Sequence, residues 1–283
     1  MANKHKFMLF PGFRKKALTL SYDDGVIFDE RLLEIMSANG VKGTFNINSG
    51  LFATKEGSRR MTEKQAFDLY TKHGCEVACH GVKHLSLACV PCELAVADVI
   101  NDRINLENLF GKPIRGMAYA NGSYDDSVVE ILQKCGIEYC RTCITTEAFD
   151  VPTDWLRLPT TCHHKNPRLM ELADEFLQDK TYPYYWTNAN APKLFYLWGH
   201  SYEFNDANNW EIIEEFCKKV GNREDVWYAT NIEIYDYVKA YENLKFSANG
   251  KSVFNPSAVD VCINYMGRGE VLAKAGETTK LPE

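Results

Sequence analysis

Short apolar runs alternate with amphipathic stretches along most of the chain, and this alternation limits the possible folds more than any other feature. Eight runs rich in β-branched and aromatic residues predict strands, at residues 17–22, 41–47, 76–79, 114–118, 137–142, 156–158, 194–198 and 226–229. Helical spacing of apolar residues predicts helices at 31–39, 93–110, 126–134 and 210–220. Strands that alternate with helices pair in parallel, so seven or eight such units favour a (β/α) barrel over an open sheet.

The pattern changes at about residue 245. Four short apolar runs, separated by turns that contain Asn-Gly, Asn-Pro and glycine, predict antiparallel strands at residues 253–254, 258–265, 270–273 and 279–281. We therefore expect a barrel over residues 1–244 and a small β-rich extension, residues 245–283, packed on it.

Charge and hydropathy exclude two classes of partner. The 283 residues carry a formal net charge of −6 and no cluster of basic residues, which argues against nucleic acid. No run approaches the roughly 18 apolar residues of a membrane span. The apolar run at residues 7–10 is too short for an export leader, so we expect a cytoplasmic protein whose ten cysteines are reduced.

The cysteines include two C-x-x-C pairs, Cys89–Cys92 and Cys140–Cys143. The first precedes a predicted helix, as in thiol oxidoreductases, and both together offer the ligands of a structural zinc site. The separation of the pairs exceeds the usual spacing of such zinc sites, so core or incidental thiols are favoured. A dinucleotide site is disfavoured because no G-x-G-x-x-G follows a predicted strand.

Titratable residues follow three predicted strands directly. Asp23 and Asp24 follow the first strand, His80 and His84 follow the third, and His200 follows a later one. The carboxyl ends of barrel strands share one rim, so these side chains are expected to converge. The spacing of His80 and His84 suits one face of a helical turn. One aspartate and two histidines suit Zn²⁺, and also Co²⁺, Ni²⁺ or Mn²⁺, while the second aspartate is free for proton transfer.

These motifs resemble those of the polysaccharide deacetylases, the NodB-like domain of carbohydrate esterase family 4. The stretch from Ser21 to Gly25 matches T-F-D-D-G, the stretch from His80 to His84 matches H-[ST]-x-x-H, and Trp198-Gly199-His200 loosely matches L-x-H. The resemblance implies a distorted (β/α)7 barrel and a metal-dependent deacetylase. It implies that Asp23 is the general base, that the metal ligands are Asp24, His80 and His84, and that His200 is the general acid.

The third family motif, R-P-P-Y-G, is altered in this chain. Alignment on Gly122 places Ala118 where the family has an arginine that holds the catalytic base. Arg141, at the end of the next strand, is our candidate replacement. The backbone N–H of Asn121 is a candidate donor to the oxyanion, and substrate contacts are expected from Tyr119, Asn121, Trp155 and Trp198. Whether His163 or His164 enters the site, or both lie on a surface loop, stays open.

The resemblance implies hydrolysis of an N-acetylated sugar or oligosaccharide. One alternative is a hydrolase of a linear or cyclic amide, similar to allantoinase. Another is a non-catalytic sugar-binding barrel, in which the aromatic run formed by Tyr182, Tyr184, Tyr185 and Trp186 stacks on sugar rings. The motifs favour catalysis, and they leave the substrate and the oligomeric state open.

Overall fold

The structure is a computed structural model that describes residues 4–179 and 190–283. Its strands are β1 (Met8–Leu9), β2 (Lys16–Asp23), β3 (Gly43–Ile47), β4 (Glu76–Cys79), β5 (Gly116–Ala118), β6 (Tyr139–Thr145), β7 (Leu158–Thr160), β8 (Cys162–His163), β9 (Lys193–Gly199), β10 (Val226–Tyr228), β11 (Lys245–Phe246), β12 (Ser252–Phe254), β13 (Val261–Asn264), β14 (Glu270–Ala273) and β15 (Thr278–Lys280). Its α-helices are α1 (Asp29–Ala38), α2 (Glu63–Lys72), α3 (Cys92–Phe110), α4 (Asp126–Lys134), α5 (Leu169–Leu177), α6 (Ser201–Ala207), α7 (Glu211–Val220) and α8 (Asn231–Glu242).

A parallel sheet forms the barrel, in the order β7-β6-β5-β4-β3-β2-β9-β8, and β10 pairs with the beginning of β2. Closure depends on residues 158–163, because β7 pairs with β6 whereas β8 pairs with β9. Thr161 lies between the two halves, and its N–H donates to Tyr196 O at 2.9 Å. With β7 and β8 taken as one interrupted strand, the ring has seven positions, which confirms the expected distorted (β/α)7 barrel.

One predicted element differs from the structure near this closure. The strand predicted at residues 156–158 is displaced, because Trp155–Arg157 forms a 3₁₀ turn and β7 begins only at Leu158. The Asp154 carboxylate accepts hydrogen bonds from Leu156 N and Arg157 N, which stabilises the turn at the expense of the strand.

The extension forms two antiparallel sheets, β1-β13-β14 and β11-β12-β15. One of them takes β1 from the N-terminal part of the chain, with Met8 opposite Ile263. Val253 and Val261 share a buried cluster with Ala17 and Leu194, which lie near the beginnings of β2 and β9. The extension therefore covers the end of the barrel opposite the carboxyl ends of its strands. Within the described residues, no helix is both long enough and apolar enough to cross a membrane.

Candidate metal and active site

The carboxyl ends of β2, β4 and β9 bring the predicted site residues together. Asp23 is the last residue of β2 and is paired with Asn46 of β3. Tyr22, one residue earlier in β2, is paired with Gly199 of β9. His80 and His200 directly follow β4 and β9. All five motif residues therefore lie at one rim of the barrel, opposite the C-terminal extension.

Asp24, His80 and His84 form a cluster whose potential ligand atoms all lie within 4.8 Å of one another. The Nδ1 atom of His80 lies 2.8 Å from the carbonyl oxygen of Ala118, which fixes Nδ1 as the donor and leaves a lone pair on Nε2. Burial lowers the pKa of His80, so its ring is neutral at neutral pH. Among the described residues, this buried Nε2 has no hydrogen-bond partner. An orphaned imidazole nitrogen beside a carboxylate and a second imidazole fits a divalent transition metal.

The loop that carries the two histidines is not the helical turn expected from their spacing. Gly81 and His84 both have left-handed backbones, with φ of 79° and 57°. A Cβ on residue 81 would lie 2.3 Å from Asp98 Oδ2, so this position requires glycine. Asp98 Oδ1 also accepts a hydrogen bond from Lys83 N at 3.0 Å, which holds the loop in this non-helical shape.

Asp102 of helix α3 also stabilises this loop. Its buried carboxylate accepts hydrogen bonds from the backbone N–H groups of Ser49, His80 and Gly81, at 2.8, 2.9 and 2.9 Å. Three donors satisfy most of the carboxylate's acceptor capacity, which offsets the cost of burying it. Asp102 thus connects the turn after β3 to the loop after β4.

Asp23 lies between the cluster and His200. Its Oδ2 accepts from the Nη2 of Arg141, its Oδ1 accepts from Asn46 Nδ2 at 2.8 Å, and its Oδ2 lies 3.8 Å from His80 Nε2 and 3.9 Å from His200 Nε2. Burial alone would raise the pKa of Asp23, but Arg141, followed by the two histidines, outweighs it and lowers the pKa to about 2. Asp23 is therefore ionised throughout the neutral range.

The family motif places its arginine on β5, at the position of Ala118, whereas Arg141 lies on the neighbouring strand β6. Ala118 of β5 and Arg141 of β6 are paired in the register, so the guanidinium begins one strand away from the expected place. Its side chain is fully buried, and its Cζ lies 4.3 Å from the ring centroid of Trp198. The methyl group of Ala118 leaves room at this position, and the chain supplies a cation to Asp23 from the neighbouring strand.

Glu203, which the sequence reasoning missed, lies behind His200 at the start of helix α6. Its Oε2 is 3.4 Å from His200 Nδ1, and its Oε1 accepts from Lys165 Nζ at 2.6 Å. The desolvation of His200 lowers its pKa, but Glu203 and then Asp23 more than compensate, so the pKa of His200 is raised. Glu203 lies on the Nδ1 side of the His200 ring, and Nε2 lies on the side of Asp23.

His163 and His164, whose place was left open, both lie against Glu203. Both Nε2 atoms lie 3.1 Å from its Oε2. Together these three residues have the composition of a second metal cluster. However, His163 Nδ1 accepts a hydrogen bond from Lys165 N at 3.1 Å, so its Nε2 carries the hydrogen and donates to Glu203. His163 is therefore a hydrogen-bond donor in this arrangement and not a metal ligand.

Two of the four expected substrate contacts are buried. Tyr119 is 1% exposed, and its hydroxyl donates to Leu156 O at 2.8 Å. Trp155 packs edge-on against Tyr235 of helix α8, with ring centroids 5.2 Å apart, in the cluster that faces the C-terminal extension. Both residues pack in the core, and their roles as substrate contacts stay predictions. Their aromatic character reflects the need to fill the barrel.

The other two expected contacts lie at the rim. Trp198 is buried between Arg141 on one side and the ring of His163, whose centroid is 4.6 Å away, on the other. Asn121 is exposed, has a left-handed φ of 56°, and donates from Nδ2 to Ser86 Oγ at 3.0 Å. Their roles toward a substrate stay predictions.

Arg60 is the second residue that the sequence reasoning missed. Its Nη2 lies 3.2 Å from Asp24 Oδ1, and its Nη1 donates to the carbonyl oxygen of Asp24 and, at 3.3 Å, to Asn48 Oδ1. No motif marks it, since residues 52–62 lie outside the predicted strands and helices. The aromatic run expected at Tyr182, Tyr184, Tyr185 and Trp186 lies outside the described residues.

Comparisons with known proteins bear on the family and the fold of this chain. The family model "Polysaccharide deacetylase" matches residues 11–140, which include Asp23, Asp24, His80 and His84. No curated protein gives a significant match. The Streptococcus pyogenes deacetylase PplD is 20% identical and matches with a TM-score of 0.41 over 44% of this chain, which spans only about half (55%) of the PplD chain.

Two other solved structures match over most of the chain. A polysaccharide deacetylase from Mycobacterium smegmatis, described as putative, is 16% identical with a TM-score of 0.57, over 83% of this chain and 94% of its own. A mutant of a Bacillus anthracis pseudoenzyme of family CE4, with restored enzymatic activity, is 15% identical with a TM-score of 0.50, over 81% and 70%. These two likenesses concern the fold. The resemblance expected from the motifs is confirmed: this chain is recognised by the polysaccharide deacetylase family model over residues 11–140 and has the barrel fold of that family.

Proposed function

We propose that this protein is a metal-dependent deacetylase that hydrolyses the amide of an N-acetylated sugar or oligosaccharide. The observation that carries the proposal is the position of Asp23 between two groups of opposite character. On one side lies the cluster of Asp24, His80 and His84, and on the other lies His200, whose Nε2 is 3.9 Å from Asp23 Oδ2. A base, a set of metal ligands and an acid within one small space are the groups that amide hydrolysis needs.

Asp24, His80 and His84 would hold the metal, with Zn²⁺ the first candidate and Co²⁺, Ni²⁺ or Mn²⁺ the alternatives. A divalent metal bound there supplies a Lewis acid that polarises the acyl oxygen and makes water more acidic. Asp23 is ionised at neutral pH and accepts the proton of the attacking water. Arg141 and Asn46 fix its orientation from behind.

His200 protonates the departing nitrogen, because an amine leaves poorly unless it receives a proton as the C–N bond breaks. Glu203 raises the pKa of His200 and so keeps a larger fraction of it protonated at neutral pH. Glu203 acts through His200 and is a positioning residue. The products are a carboxylic acid and an amine, with water as the only co-reactant.

A metal analysis combined with two variants tests this proposal. One divalent transition metal per chain is expected in protein purified without added metal, or after loading with Zn²⁺. Asp23→Asn should keep the metal and lose hydrolysis, whereas His80→Ala should lose both. If Asp23→Asn also lost the metal, the roles of the two aspartates would have to be exchanged.

The substrate class is tested by acetate release from N-acetyl sugars and O-acetyl sugars, with cyclic ureides included to follow ring opening. Release from N-acetyl sugars is the expected result. Ring opening of a cyclic ureide alone would favour the amide-hydrolase alternative. Binding of sugars without turnover by the metal-loaded protein would reject catalysis.

A further inference from the structure

We propose that Arg60 and Asn48 form a clasp that holds the metal ligands in place before the metal binds. The proposal rests on the proposed function, since it assumes that Asp24, His80 and His84 are ligands. The term clasp refers below to these two side chains only. Neither residue has been assigned a role by the motifs, and neither is itself a ligand candidate.

Arg60 is attached to Asp24 at two separate points. Its Nη1 donates to the backbone carbonyl of Asp24, and its Nη2 lies 3.2 Å from Asp24 Oδ1. The carboxylate oxygen that Arg60 contacts is also the one that lies 3.8 Å from His84 Nε2. A carboxylate oxygen has two lone pairs, so contact with Arg60 leaves one for a metal ion. Arg60 can therefore orient the ligand without replacing the metal.

Asn48 continues the connection from Arg60 to the other ligands. Its side chain is 1% exposed, and its Oδ1 accepts from Arg60 Nη1 at 3.3 Å. Its Nδ2 donates to the carbonyl oxygens of His80 and Gly81 at 2.7 and 2.9 Å. The clasp thus links the main chain of Asp24 to the main chain of His80, two segments that belong to different strands and supply different ligands.

The backbone around Arg60 is itself fixed to the loop that follows Asp24. Met61 N donates to Gly25 O at 3.2 Å, and Ile27 N donates to Arg59 O at 3.0 Å, on either side of Arg60. This matters because Asp24 has a positive φ of 86°, which is uncommon for a residue other than glycine and is favoured here by the contacts that hold it. The double contact with Arg60 supplies such a constraint, in the way that outer partners orient metal ligands in known sites.

The charge of Arg60, taken alone, would have the opposite effect on metal affinity. A guanidinium beside the cluster repels a divalent cation, so Arg60 would weaken metal binding if charge dominated. Removal of Arg60 would then tighten binding. The clasp predicts the reverse, because loss of the contacts lets Asp24 and the His80 loop move apart.

Zn²⁺ affinity, measured by competition with a chromophoric chelator, separates the two effects. Arg60→Met and Asn48→Ala should each weaken Zn²⁺ binding by about 10–100-fold. Arg60→Lys keeps the charge but presents a single ammonium, so it should also weaken binding. The matched control is Arg59→Met, because Arg59 is an exposed neighbour that pairs with Asp206 at 2.8 Å. The Zn²⁺ affinity of Arg59→Met should match that of the unaltered protein.

Thermal unfolding of each metal-free variant shows that it is folded, and the visible spectrum of bound Co²⁺ reports whether the ligand geometry has changed. Tighter or unchanged binding in Arg60→Met, or loss of affinity in Arg59→Met of the same size, would overturn the clasp. If Arg60→Met does not fold, Arg60→Lys and Asn48→Ala decide the question. Failure of the unaltered protein to bind any metal would instead contradict the proposed function and the clasp together.

Discussion

Arg141 donates a hydrogen bond to Asp23 inside the barrel although the two residues are 118 positions apart in the chain. Both side chains are buried, at 0% and 3% exposure. Removal of one member leaves the other as an uncompensated buried charge, which typically costs about 3–5 kcal/mol. We therefore expect Arg141→Met to lower the free energy of unfolding by about this amount in urea denaturation, and to depress activity because the proposed base loses its orientation.

The pH dependence of the free energy of unfolding shows why Arg141→Met is less stable. In the unaltered protein the pKa of Asp23 is lowered from 3.8 to about 2, so the ion pair contributes stability above pH ~3.8 and loses it as the pH falls toward 2. In Arg141→Met the guanidinium no longer opposes the effect of burial, so the pKa of Asp23 is higher than in the unaltered protein. Protonation of Asp23 then removes the buried charge. The stability difference should therefore narrow under acidic conditions, whereas a constant difference would indicate that lost packing is the cause.

Glu203→Gln is expected to move the alkaline limb of the pH profile of kcat to lower pH. Glu203 raises the pKa of His200, and a raised pKa keeps the proposed acid protonated to higher pH. Glutamine removes the charge with little change in shape. Lys165→Met is a suitable comparison, because it removes a contact of Glu203 and leaves the carboxylate next to His200. An alkaline limb at the same pH in Glu203→Gln would reject His200 as the titrating acid.

Gly199→Ala should destabilise the rim near His200. An added Cβ would lie 2.1 Å from His164 Nδ1, and His164 has no free space because its ring lies between Tyr22 and Phe204, with centroids 5.8 and 4.1 Å away. Overpacking of this kind costs about 1–3 kcal/mol. Gly269→Ala is the control, since its nearest atom beyond adjacent residues would be Pro282 Cγ at an ordinary 3.6 Å. Urea denaturation of both variants measures the difference, and equal stabilities would contradict the packing described for His164.

Substitution of two tryptophans tests which of them contacts the substrate. Trp155→Phe should leave KM unchanged and lower the unfolding midpoint, because Trp155 packs between the barrel and helix α8. Trp198→Phe should depress kcat/KM, because the Trp198 ring supports Arg141 and borders His163. Steady-state kinetics on the substrate found in the acetate-release panel check both. A raised KM in Trp155→Phe alone would support the prediction that Trp155 contacts the substrate.

The sequence was most informative where a local pattern has a direct structural consequence. Helix α4 and strand β4 have the predicted bounds, because their apolar periodicity is clear and a turn ends each of them. The convergence of Asp23, His80 and His200 followed from a single rule, that parallel strands present their carboxyl ends at one rim. Arg141 was found from the sequence because the expected cation was missing and the next strand ended in an arginine.

Other features depend on contacts that no local pattern encodes. Tyr119 and Trp155 are aromatic, as residues that contact sugars often are, and only the packing shows that their rings are buried in the core. Arg60 lies in a segment without helical or strand periodicity, and its two contacts with Asp24 span 36 residues. Glu203 offered one weak signal, a carboxylate three residues after His200 at the start of a helix, which is the spacing of a capping box.

The three hydrogen bonds accepted by Asp102 have a mechanical consequence for the site. Because one carboxylate on α3 receives the amides of Ser49, His80 and Gly81, neither loop can shift without breaking a bond to that helix. The two loops and α3 are therefore joined through a single side chain. Because Asn48 and Arg60 also join His80 to Asp24, the position of His80 is tied both to the outer helix and to the strand that supplies the other ligand.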